Sequence, residues 1–168
     1  MADDRPRPPG AADERTMLAG WLDFHRATLE MKCAGLTPEQ LVTRSAPPST
    51  LSLLGLVRHM ADVERAWFRR RLAGEDAPPL YYSDANPDGE FDDVDPAGVD
   101  DDLAAWRAEC ARAREIAASL PSLEVPVTDR EGRQLSARWV LVHMVEEYAR
   151  HNGHADLLRE RIDGAVGE

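Results

Sequence analysis

HMVEEYARHNGH, residues 143–154, places three of the five histidines of this chain within twelve residues. On a helical wheel at about 100° per residue with Glu147 at zero, His143 falls near about −40°, His154 near about −20° and His151 near about +40°. Met144, Ala155, Tyr148 and Leu141 follow at about 60° to 120°, and Val140 and Leu158 lie among the imidazoles near about 20°. The histidines therefore border an apolar face instead of opposing it. Read this way, the stretch is the middle of a helix that starts at a Ser136 cap and runs to about Ile162, before Gly164.

The same periodicity recurs three times upstream. A first helix from about Asp13 to Cys33 is predicted from an edge of Met17, Trp21, Phe24, Thr28 and Met31 beside Leu18, Leu22, His25 and Leu29. Thr37-Pro38-Glu39-Gln40 has the form of a capping box and opens a short helix over 38–44, which SAPPST (45–50) stops. A second long helix begins near Ser49 or Thr50 and reaches about Ala73, with Leu53, Leu56, Met60, Val63 and Trp67 as its core stripe. A third covers about Val99 to Ser119, with Leu103, Trp106, Cys110 and Ala113 inward. Between them lies EDAPPLYYSDANPDGEFDDVDPAG (75–98), long enough to act as a lid or binding loop, whose Tyr81, Tyr82 and Phe91 predict that it packs over something. Arg130 to Gly132 are placed to turn a small hairpin within 122–135. Four long amphipathic helices without a convincing sheet predict an all-α, up-and-down four-helix bundle with one long crossover loop. Residues 1–12 read as a disordered lead-in to a single domain over 13–166.

Composition narrows the function classes. A chain of 168 residues with 43% hydrophobic and 30% charged residues is an ordinary globular sequence. Its net charge of −11 disfavours nonspecific binding to nucleic acid or an anionic membrane. No apolar run is long enough to span a bilayer, and the N-terminus lacks a secretory pattern, so a cytoplasmic location is expected. Cys33 and Cys110 have no CxxC spacing and read as buried, reduced thiols. The basic residues are nearly all arginine, Lys32 being the only lysine, a bias that suits a GC-rich bacterial genome.

Polar groups facing a bundle core need partners, and a divalent cation is an efficient one. Imidazole and carboxylate at i and i+4 lie close enough to share an ion, a spacing met by both His143/Glu147 and Glu147/His151. A further ligand must come from another helix. His59, between Leu56 and Val63 in LLGLVRHMADVERAW, faces the core and supplies a candidate. Such an N/O donor set suits zinc or nickel and also accepts iron or manganese. Other chemistries lack their motifs. There is no H-E-x-x-H; the position three before His151 is Tyr148, which defeats a di-iron reading; and G-x-S-x-G, P-loop and dinucleotide-binding glycines are absent. GEFDDVDPAGVDDD (89–102) lacks the alternating ligands and closing glutamate of an EF-hand.

His59, a long crossover, then Glu147-x-x-x-His151-Asn152-Gly153-His154 is an order that resembles the DinB/YfiT-like superfamily of metal-binding four-helix bundles. HNGH is similar to the H-R-G-Q tail of many members, and Glu147 replaces the first histidine, as in the mycothiol-dependent maleylpyruvate isomerase branch. PPSTLSLLGLVRHMADVERAWF (47–68) with EEYARHNGHADLLRERIDG (146–164) is similar to an actinobacterial subfamily of undefined function that includes the mini-circle proteins. The likeness spans about residues 15–166. It implies metal ligands His59, Glu147 and His151, one divalent ion, and a mycothiol-like thiol cosubstrate whose thiolate attacks a small electrophile; a metal-hydroxide hydrolase or a non-catalytic ligand-binding bundle would use the same residues. It also implies pairing into a homodimer and a small-molecule substrate. His143 and His154 are expected beside the ligands, with His143 an alternative to Glu147 and His154 to its neighbours. His25 is expected to be structural or to orient substrate. Arg58 and Arg150 are expected as surface ion pairs with Asp62 and Glu146, or as anion contacts.

Overall fold

A computed structural model describes residues 5–167. Its first helix, α1 (Glu14–Cys33), opens where the Asp13 carboxylate accepts the Thr16 N–H at 3.1 Å. Leu22, Arg26, Leu29 and Cys33 are its inward line, at spacings of four, three and four. Trp21, expected inside, is 42% exposed: the face that meets the bundle is the neighbouring one, with a buried arginine in its middle. In the described part of the 1–12 segment no helix or strand forms, and Arg5 lies over the Phe24 ring at 4.6 Å.

The capping box at Thr37 and Gln40 forms, but its helix, α2 (Pro38–Leu41), is shorter than predicted. α3 (Leu53–Glu64) starts later than Ser49 or Thr50, because the Ser52 hydroxyl accepts the Gly55 N–H at 3.1 Å and so provides the cap. Beyond Glu64 the same rod continues as a π-helical segment, Arg65–Leu72, closed by the Ala73 N–H on the Phe68 carbonyl at 2.9 Å. Gly74 then takes φ +66, where other residues are strained.

The 75–98 loop contains α4 (Gly89–Asp92) and one 3₁₀ turn leading into α5 (Val99–Ser119). The predicted hairpin is present: β1 (Pro126–Thr128) and β2 (Gln134–Ser136) are antiparallel, with Val127 opposite Leu135. In its turn, Asp129 Oδ1 accepts the N–H groups of Glu131 and Arg133 at 2.9 and 2.8 Å. Finally α6 (Ala137–Asp163) is capped by Ser136 on the Trp139 N–H and ends at Gly164, φ +80. The four long helices pack as the all-α bundle predicted. α6 lies on α1 and α3, and α5 lies on α3 and the π-helical segment.

Polar clamps fix the α1–α6 contact. Lys32 Nζ meets Asp156 Oδ1 at 2.8 Å, Arg159 Nη1 donates to the carbonyls of Lys32 and Ala34, and Asn152 Nδ2 donates to the His25 carbonyl at 3.0 Å. Deeper inside, one network joins all four long helices. Arg26 (α1) forks onto Glu64 (α3) with Nε–Oε1 at 2.8 Å and Nη2–Oε2 at 2.9 Å. The Tyr148 hydroxyl (α6) donates to Glu64 Oε1 at 2.8 Å and accepts the Trp106 indole N–H (α5) at 3.0 Å. Cys110 (α5) adds its thiol, 3.7 Å from Glu64 and 3.5 Å from Tyr148. Burial pulls the Arg26 pKa down, and Glu64, at 0% exposure, more than reverses this, so Arg26 stays charged in the interior.

Removing one charge strands the other. Glu64→Leu is expected to lose about 3–5 kcal/mol, whereas Arg26→Met combined with Glu64→Leu loses markedly less. Chemical denaturation of the two variants beside the wild type measures the difference.

Candidate metal centre

α3 presents His59 and α6 presents Glu147 and His151 toward one another, with one donor atom of each within 4.8 Å of the others. All three are partly buried. His151 Nε2 stands 3.4 Å from Glu147 Oε2, and the His59 and His151 ring centres are 4.7 Å apart at 62°. The other oxygen of Glu147, Oε1, faces His143 Nε2 at 3.4 Å. His154 stands outside this group, its Nδ1 3.4 Å from Nδ1 of His151. Thus His143 and His154 flank the three residues, one on each side. His143, Glu146 and Glu147 also converge within 4.8 Å, but Glu146 is exposed and ion-paired with Arg150.

Electrostatics suit a cation. Burial, and then His151, lower the His59 pKa to about 4, with partial opposition from Glu147 and Asp62. Its imidazole is neutral at pH 7 and keeps a lone pair. The hydrogen bond with His151, aided by the fields of His143 and His59, holds Glu147 below the usual carboxylate range against the effect of burial. A neutral imidazole beside an ionised carboxylate at a partly buried site is the protonation state that metal binding requires.

The 75–98 loop supplies what the sequence reading missed. Glu90 Oε1 lies 3.4 Å from His59 Nδ1, and the Phe91 ring stacks on the His59 ring at 5.2 Å and 28°. A carboxylate there draws the imidazole proton to Nδ1 and leaves Nε2 as the free donor. Glu90 Oε2 is buried with no hydrogen-bond partner among the described residues, and burial raises the Glu90 pKa. The donor set itself, two imidazoles and a carboxylate within 4.8 Å, fits a divalent cation.

The loop is held firmly. Asp62 accepts the N–H groups of Leu80 and Tyr81 at 2.7 and 3.1 Å. Arg58, expected at the surface, is buried beneath the loop, donating to the carbonyls of Asp93 and Gly89 with the Tyr81 ring 4.4 Å away. A Cβ at Gly89 would meet the Tyr81 carbonyl oxygen at 2.4 Å, so only glycine permits this approach. Nothing local distinguished Glu90 from the other acids of 75–98; its neighbour Phe91 was the one usable signal.

Three aromatic groups border the site. Trp139 stacks on His143 at 4.8 Å, and Trp67 meets His143 at 5.2 Å and Trp139 at 5.4 Å. His25 meets Asn152 of α6, whose Nδ2 lies 3.4 Å from the ring Nδ1 and donates to the His25 carbonyl. Both cysteines are buried, and burial pushes each thiol up to about 12, so neither is a nucleophile at neutral pH. No described helix is long and apolar enough to cross a membrane.

The sequence model of the mycothiol-S-transferase family matches residues 17–164. Among solved structures, the crystal structure of a conserved protein from Enterococcus faecalis is similar in fold, with a TM-score of 0.74, 17% identity, and coverage of 92% of this chain and 100% of that one. No curated protein matches the chain.

Two measurements probe this geometry. Glu90→Ala is expected to weaken zinc binding by about ten- to a hundredfold in a chelator competition, with an unchanged circular dichroism spectrum. The second concerns acid stability. Because the folded-state pKa of His59 lies below its ordinary value, the unfolded chain takes up this proton first, and stability is lost as pH falls from about 6.5 toward 4. The melting temperature of metal-free His59→Leu should decline less than that of the metal-free wild type over this interval.

Proposed function

Because this chain belongs to the mycothiol-S-transferase family, within the DinB-like superfamily, we propose that it activates a low-molecular-weight thiol of the mycothiol class and transfers its sulfur to a small electrophile, with a divalent ion held by His59, Glu147 and His151. One observation carries the reading: two imidazoles and a carboxylate from two helices converge within 4.8 Å at a partly buried position bordered by aromatic rings. The narrower likeness to the mini-circle proteins adds no chemistry to it.

The metal, when bound, lowers the pKa of a coordinated thiol so that the attacking thiolate prevails at neutral pH. The chain's own residues set the conditions. Glu147 contributes a negative charge and His59 and His151 contribute lone pairs, which leaves a divalent cation with net positive charge to stabilise the thiolate. Glu90 and Phe91 hold the His59 ring in one orientation, while His143, between Glu147 and Trp139, holds the carboxylate from its other side. Phe91, Trp67 and Trp139 limit the water that reaches the sulfur and offer flat surfaces to an apolar electrophile. As the new sulfur–carbon bond forms, the leaving group departs with the electron pair of the bond it breaks, and the thiol proton goes to solvent.

The test is metal content by mass spectrometry on untagged protein, followed by consumption of mycothiol with an electrophile panel. Wild type should hold about one equivalent of metal and consume thiol. His59→Ala and His151→Ala should lose both while remaining helical. Metal bound without thiol turnover would favour a hydrolase or a non-catalytic bundle; a wild type that stays empty after incubation with zinc, nickel, iron(II) and manganese would end the metalloenzyme reading.

A further inference from the structure

We propose that the cavity between the π-helical segment and the β1–β2 turn binds the carboxylate of the electrophilic substrate, making this protein selective for small acids with an apolar or aromatic body. Its substrate role rests on the thiol-transfer reading; carboxylate binding itself does not.

The cavity has a volume of about 370 Å³, which suits a small molecule. Trp67, Arg70 and Arg71 line one side and Arg130 and Arg133 the other, with Tyr82 between. Asp129 and Glu131 are the acidic residues of its wall, and both are already engaged. Arg133 Nε meets Asp129 Oδ2 at 2.6 Å and Glu131 Oε2 at 3.4 Å, while Asp129 Oδ1 accepts two turn N–H groups. Among the described residues, Arg70, Arg71 and Arg130 have no ion-pair partner. Three guanidinium groups without an ion pair around one cavity stand out in a chain of net charge −11. Other arginines of the π-helical segment are neutralised: Arg65 and Arg69 both reach Glu109, and Arg69 also reaches Glu75.

Arg70 is the most telling. Its Nη2 donates to the Tyr82 hydroxyl at 3.2 Å, yet its Nε is buried without an acceptor. A buried donor left unmet costs about 1–3 kcal/mol; Arg70 and Tyr82 both line the cavity, which places the guanidinium group beside an anion held there. Guanidinium forks match a carboxylate through paired, charge-assisted hydrogen bonds.

One indole stands between the cavity and the candidate metal centre. Trp67 forms part of its wall and touches His143, whose Nε2 lies 3.4 Å from Glu147 Oε1. A substrate anchored by its carboxylate at Arg70 and Arg130 can lay its body along the indole and direct its reactive carbon toward the sulfur.

Benzoate and its uncharged analogue benzamide test the assignment. Each is titrated into metal-free protein, and binding is read from the Trp67 indole N–H resonance, identified with Trp67→Phe. Benzoate should shift that resonance saturably, benzamide should not, and added salt should weaken the effect. Arg130→Gln, an exposed turn position that leaves the core untouched, should weaken benzoate about tenfold or more, as should Arg70→Gln. His151→Ala should leave benzoate binding unchanged. No shift with benzoate, equal binding by the arginine variants, or loss of binding in His151→Ala would overturn the proposal. Arginine-dependent benzoate binding in a protein that consumes no thiol would uphold the carboxylate site and remove only the thiol-transfer reading.

Discussion

The bundle depends on a buried ion pair with three further partners. Arg26 and Glu64 form an ion pair in the interior, and the network around it draws on the other helices: Tyr148 from α6 donates to Glu64, and Trp106 from α5 donates to Tyr148. Such an arrangement contributes less net stability than a hydrocarbon core of equal volume. What it contributes here is register. A hydrophobic face tolerates rotation of a helix by tens of degrees, whereas the Tyr148 hydroxyl reaches Glu64 at one rotation only. Tyr148 directly follows Glu147 and lies three residues before His151, so the phase that satisfies the tyrosine also turns both site residues toward α3.

From α3, the same rod serves both ends of this design. Glu64 anchors the interior, and His59, five residues earlier, faces the candidate centre. The crossover loop then fixes His59 from outside through Glu90 and Phe91, while Asp62 and Arg58 tie the loop backbone to α3. Orientation of the imidazole is thus shared between regular structure and a segment without repetitive pattern. The loop is part of the site's scaffold as well as its border.

The unequal legibility of these features has a physical cause. Helices could be read because burial imposes a 3.6-residue rhythm, and Glu147, His151 and His59 could be read because polar groups on apolar borders violate that rhythm locally. Arg26 and Glu64 break it too, but each resembles an ordinary surface charge until its partner, thirty-eight positions away, is brought alongside. Trp21 misled in the opposite sense: its size suggested the interior, and the line containing Arg26 took that place. Glu90 was hidden by its company, one acid among many in 75–98, and only the docking of Phe91 against Gly55 and His59 distinguishes it. Arg70 and Arg71 went unread because Arg130 and Arg133, which face them across the cavity, come from a hairpin turn far along the chain.

The departure from the α-helical period at Arg65 bears on how the wall of the cavity could change. A π turn closes its hydrogen-bonded ring over one more residue than an α turn, so loss of a single codon between Arg65 and Leu72 could restore α geometry without touching the interior before Glu64. The rod would keep its course, and a deletion falling between Trp67 and Arg70 would shorten their spacing from three residues to two, which turns the two side chains onto different faces. One-residue length variation at this point is therefore a short route by which such a bundle could alter one wall of its cavity while the interior before Glu64 stays as it is.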